Sequence, residues 1–109
     1  MPSANKVLGQ STPSANTDTT LYTVPASTQA VCSTLSVCNT TSAAITYRIA
    51  VRPAGETIAT KHYIAFDASV AANDSVLLTL GITLAATDVV TVRAGATGVA
   101  FCLFGAEIT

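Results

Sequence analysis

Charge is what this sequence has least of. Only 10% of its 109 residues are Asp, Glu, Lys or Arg, against roughly 25% in an average soluble domain. A free monomer usually keeps about 25–35% charged residues on its surface for solubility. The polar surface must here come from Thr, Ser and Asn. Neutral hydroxyls and amides cost far less to desolvate than charges, so this composition suits a protein whose surface is largely covered by neighbours.

The five basic residues, Lys6, Arg48, Arg52, Lys61 and Arg93, are scattered, and the net charge is −1. No cluster exists to neutralise a phosphate backbone, which argues against nucleic-acid partners and anionic membranes. No apolar run approaches the ~18 residues of a membrane span. The first residues, MPSANKVLGQSTPSANTD, lack the apolar core of a secretory signal. The expectation is a chain made in a cytoplasm and not exported by a visible signal.

Tryptophan is missing and histidine occurs once. His62 alone cannot complete a zinc site of usual spacing, and the three cysteines form no CxxC pair. A catalytic His62 would need an orienting carboxylate and a nucleophile. Glu56 and Asp67 are near in sequence, but nothing fixes a triad, and His62 reads as an exposed or strand-face residue. Asp67, Asp74 and Asp88 sit at or near turns, where Asp caps its own backbone, and no DxDxDG calcium loop appears. There is no GxGxxG, Walker A or HExxH motif. No helix follows Gly95 and Gly98, which read as a turn rather than a phosphate cradle. The chain is expected to be non-enzymatic, with no cofactor and no metal.

Cys32 and Cys38 lie on one predicted strand about 20 Å apart, too far to bond to each other. Free thiols packed as small hydrophobes are one reading of Cys32, Cys38 and Cys102. An intersubunit disulfide through one of them is the other, since an odd count permits it.

What the sequence does contain is alternation. Residues 1–20 form a polar arm rich in Ser, Thr, Asn and Ala, which needs either its own domain or a neighbour to order it. From Leu21 to the end (21–109) the pattern is that of strands. Leu21–Val24 alternates and stops at Pro25. Ala30–Asn39 alternates, with Val31, Ser33, Leu35 and Val37 as the preferred core face. Ile45, Tyr47, Ile49 and Val51 alternate with Thr46, Arg48, Ala50 and Arg52, which places two arginines on a solvent or partner face. Further strands run over Lys61–Asp67, from Val76 with an inward face of Val76, Leu78 and Leu80, through Val89–Arg93 and from Val99 to Phe104. Gly81 suggests a bulge. Seven or eight short strands with turn signals every 8–14 residues, and no sustained 3.6-residue period, predict an all-β, antiparallel β-sandwich of jelly-roll or immunoglobulin-like type. The aromatics alternate with other apolar residues and read mostly as core.

Several stretches also resemble small structural proteins of tailed-bacteriophage virions. They are Val7-Leu8-Gly9-Gln10-Ser11, Leu21-Tyr22-Thr23-Val24-Pro25-Ala26, Ser33-Thr34-Leu35-Ser36-Val37-Cys38-Asn39, Arg48-Ile49-Ala50-Val51-Arg52-Pro53-Ala54-Gly55 and Leu80-Gly81-Ile82-Thr83-Leu84. The resemblance runs from about Val7 to the end and carries no catalytic signature. It implies a virion protein that decorates or cements a capsid, or belongs to a tail, collar or fibre, with copies of itself and other virion proteins as partners. The arm, including Val7 and Leu8, and the Arg48/Arg52 face are the expected intersubunit contacts. A glycan- or host-surface-binding sandwich is the alternative, because an antiparallel sheet can turn one face to a ligand.

Overall fold

The computed structural model describes residues 3–109. Eight strands are present among these residues: β1 Ser3–Ser11, β2 Thr19–Thr23, β3 Gln29–Asn39, β4 Ile45–Arg52, β5 Tyr63–Val70, β6 Ser75–Leu84, β7 Val89–Ala94 and β8 Val99–Ile108. Two short 3-10 turns, Pro53–Gly55 and Thr60–His62, lie between β4 and β5. The strands form two antiparallel four-stranded sheets, ordered β1-β8-β3-β6 (sheet A) and β2-β7-β4-β5 (sheet B). Only the β4–β5 connection stays within one sheet; every other connection crosses the sandwich. This is the eight-stranded jelly-roll order, and it separates the fold from the immunoglobulin-like arrangement.

Alternation explains the core. Leu35 and Val37 of β3, Ile49 of β4, Val90 and Val92 of β7, and Val99, Phe101 and Leu103 of β8 point between the sheets and are at most 1% exposed. Tyr47 meets the edge of Phe101 at 6.4 Å between ring centroids, a favourable aromatic geometry.

Residues 3–11, expected as part of an arm, form β1 instead. They pair with β8 from Ser3↔Ile108 to Ser11↔Phe101, so their backbone groups are satisfied by the chain's own sheet. The side chains are mostly exposed, which is why the segment carries no apolar alternation: an edge strand is held chiefly by its ladder.

A line of bulges crosses sheet A. Leu8 is the extra residue of β1 against β8, Ser33 that of β3 against β8, and the β3–β6 register shifts at the same level, beside Gly81. The bulge reverses the face of β3. Ala30 and Cys32 point inward before it, and Leu35, Val37 and Asn39 after it. Val31 and Ser33, expected in the core, therefore face outward, and Cys32 is fully buried.

One end of the sandwich is tied by Asn39, a buried amide. Its Nδ2 donates to the carbonyls of Ala43 (2.7 Å), Val70 (3.2 Å) and Ala71 (3.2 Å), and its Oδ1 accepts from the Thr41 backbone N–H (2.9 Å) and the Thr41 hydroxyl (2.7 Å). At the other end, Tyr22 donates to Glu107 at 2.6 Å, and Lys6 reaches the same carboxylate at 2.6 Å. Lys6 and Tyr22 hold Glu107 below the usual carboxylate range, while burial and then Glu107 push the Tyr22 phenol up.

Candidate functional site

Charge divides between the two sheets. Across the four strands of sheet A the only charged residues are Lys6 and Glu107. They pair with each other beside Tyr22, in the mouth between the sheets. The register puts Asn5 and Val7 of β1, Phe104, Cys102 and Ala100 of β8, Val31, Thr34, Ser36 and Cys38 of β3, and Thr79, Leu77 and Ser75 of β6 on the outer side. Among the described residues, the outer face of sheet A therefore carries no charged side chain. Its polar groups are hydroxyls and amides, some of them already bonded: Ser33 donates to the Phe104 carbonyl at 3.2 Å, and Gln10 to Cys102 Sγ at 3.3 Å.

Large apolar side chains stand on this face. Leu77 is 68% exposed, Val7 47% and Phe104 37%. Val7, Val31, Phe104 and Ala106, with Asn5, Lys6 and Ser33 at its sides, line an open, shallow hollow of about 560 Å³. Shallow and mostly apolar, it lacks the converging polar groups that a small-molecule site needs.

Sheet B is different. Arg48 forms a two-pronged bond to Asp67 (Nε–Oδ1 2.7 Å, Nη2–Oδ2 3.2 Å) and lies 4.1 Å above the Phe66 ring. Phe66 packs edge-on against Tyr63. Arg52 donates to the Thr91 hydroxyl at 3.1 Å and the Glu56 carbonyl at 3.0 Å, its stem covering β7. The arginines expected to meet a partner are thus engaged within the chain. Phe66, 56% exposed and not a core residue, has one ring face occupied by Arg48. That ring is not free as a sugar platform.

His62 is buried, not exposed. Its Nδ1 accepts from the Ala59 N–H at 3.0 Å, so Nε2 carries the proton and donates to Glu56 Oε1 at 3.1 Å. The ring staples the β4–β5 loop. Asp67 lies on sheet B beside Arg48, and Asp74 and Asp88 cap separate turns. Among the described residues no group of three or more His, Cys, Asp or Glu side chains could hold a metal ion, and no helix is long and apolar enough to cross a membrane.

The thiols divide likewise. Burial pushes the Cys32 thiol up to about 11, and a fully buried core thiol is not placed to bridge subunits. Cys38 and Cys102 are half-buried on the outer face of sheet A, on neighbouring strands. Val7 shares that face, whereas Leu8, the bulge residue, packs against the core.

The ion pairs set an acid dependence. His62 and Lys61 lower Glu56, Arg48 lowers Asp67, and Lys6 and Tyr22 lower Glu107. Groups whose folded value is depressed stabilise the fold above their unfolded values, near 4, and lose that contribution as pH falls through the folded ones. The contribution of these three carboxylates is expected to be whole above about pH 5 and to be lost below about pH 4, lowering the melting midpoint there. Circular-dichroism melts across that range check it, and a midpoint unchanged at pH 3 would contradict these pairings.

No protein-family model matches the chain, and no curated protein matches it.

Proposed function

We propose that the chain is a non-enzymatic structural subunit of a tailed-bacteriophage virion, which stabilises or decorates the capsid or builds part of a tail, collar or fibre by packing against copies of itself and other virion proteins. The observation that carries this reading is the uncharged outer face of sheet A. Strands of 9 to 11 residues, four abreast, make a face of roughly 600 Å² in projection before side-chain relief. A stable interface buries about 800 Å² per partner. A neutral face of that order, bearing Leu77, Val7 and Phe104 amid hydroxyls, is cheap to desolvate and gains from being covered. The jelly-roll order is compatible with this use but does not select it, since the same architecture serves capsid and lectin domains alike.

The test is to purify particles of the phage that encodes the chain and count its copies by quantitative mass spectrometry. Many copies per particle, in fixed ratio to the shell or tail proteins, are expected. Particles that lack the chain would overturn the reading.

A further inference from the structure

Each open edge of a sheet presents unpaired N–H and C=O groups, which invite another strand. Three of the four edges here are blunted. β1 carries Lys6 and the Leu8 bulge. β2 has five residues, a register shift and Pro25 just beyond it. β5 is broken by two register shifts, with Asp67 in a left-handed conformation (φ 53°) and tied to Arg48.

β6 is interrupted only once, by the register shift at Leu80–Gly81. Ser75–Leu84 contains no charge and no proline. Ser75–Thr79 is left as an uncharged edge in unbroken register with β3. The hydrogen-bond direction follows from the ladder. The Asn39 N–H points to the Asp74 carbonyl and the Thr40 N–H to the Gly98 carbonyl. By the alternation of strand backbones, Val37 and Leu35 then bond towards β6, to Val76 and Leu78. Ser75, Leu77 and Thr79 turn their N–H and C=O groups to the free edge.

We propose that β6 pairs antiparallel with β6 of a second copy about a twofold axis at Leu77, joining two A sheets into one of eight strands. This rests on the reading of the chain as a self-associating subunit and names the partner and the surface. The segment is self-complementary in that register. Leu77 faces Leu77, Ser75 faces Thr79 on the same outer side, and Val76 faces Leu78 on the core side. Three hydrogen-bonded pairs close, about six bonds in all. No like charges meet, because the strand has none, and the most exposed of the large apolar side chains, Leu77, is covered by its own copy. An isologous contact of this kind closes as a dimer, whereas β6 on another edge would grow a filament.

The experiment is light scattering with size exclusion on the full chain at 10–100 µM (about the range that resolves micromolar dimers), for wild type, Leu77→Lys and Leu77→Pro. The lysine leaves the core untouched and sets two cations against each other at the axis. The proline removes an edge donor without touching the β3–β6 ladder. Circular dichroism confirms the fold of each. The expected result is a wild type of dimer mass or a multiple of it, with dissociation at least ~30-fold easier in both variants. A wild-type oligomer left unchanged by both variants would overturn the β6 pairing while leaving self-association standing. A wild type that is monomeric throughout would overturn both.

Discussion

Replacing Asn39 by Ala is expected to cost about 3–4 kcal/mol of folding stability, because a buried group left without its partner costs about 1–3 kcal/mol. The side chain has five polar contacts, and two of its acceptors are the carbonyls of Val70, the last residue of β5, and of Ala71 in the turn that follows. Truncation removes one donor from the Val70 carbonyl and one from that of Ala71, which keeps the Asp74 N–H at 3.3 Å, and it takes the acceptor from the Thr41 N–H, while the Thr41 hydroxyl keeps the Ala43 carbonyl at 3.0 Å. For a domain of this size the midpoint should fall by roughly 15–25 °C. Asn39→Asp separates hydrogen bonding from volume. A carboxylate of the same shape cannot donate to the three carbonyls, so this variant should be least stable at neutral pH and recover in part as it protonates. A loss below about 1 kcal/mol for Asn39→Ala in urea melts would mean that the corner is held by something else.

Gly105→Ala is expected to cost about 3 kcal/mol or more, or to prevent folding, because overpacking against backbone cannot be relieved by a rotamer change. A Cβ at this position would lie 2.0 Å from the Val31 carbonyl oxygen and 3.0 Å from Leu8 Cδ1. The bulge line lies at this level: Leu8 and Ser33 are the extra residues of the two strands that flank β8 beside Gly105. Gly81 is the useful contrast. It has open space around its missing Cβ but a left-handed backbone (φ 62°), so Gly81→Ala should cost only about 1–2 kcal/mol of conformational strain. Equal losses for the two variants in parallel denaturant melts would mean that the close approach at Gly105 is not what matters.

Where strands alternate without interruption, as in Ile45–Arg52 and Val99–Leu103, residue order alone identified the core faces. The turns at Asp74 and Asp88 were equally plain from their residue types. Three things were not legible. The face of β3 reverses at Ser33, because one inserted residue undoes a period of two. β1 has a polar sequence because an edge strand, wet on most sides, needs little apolar surface. The charge segregation that defines the candidate surface is a property of sheet membership. β1, β3, β6 and β8 are far apart in the chain, and only the crossing connections collect these low-charge strands into one sheet. His62 and Phe66 show the same limit in miniature: the first is buried by loop contacts from Ala59 and Glu56, and the second is left outside on a bulged edge.

The central claim is that the outer face of sheet A is covered in the assembled protein, and the native cysteines report on it without any substitution. Cys38 and Cys102 lie on that face, and Cys32 is a buried internal reference. Maleimide labelling read by peptide mass spectrometry, on the chain within particles and on the dilute free chain, measures each thiol's accessibility. The expected result is that Cys38 and Cys102 label in the free chain and are protected in the particle, with Cys32 slow in both. Cys38 and Cys102 labelling as fast in the particle as in the free chain would show an uncovered face and contradict the account.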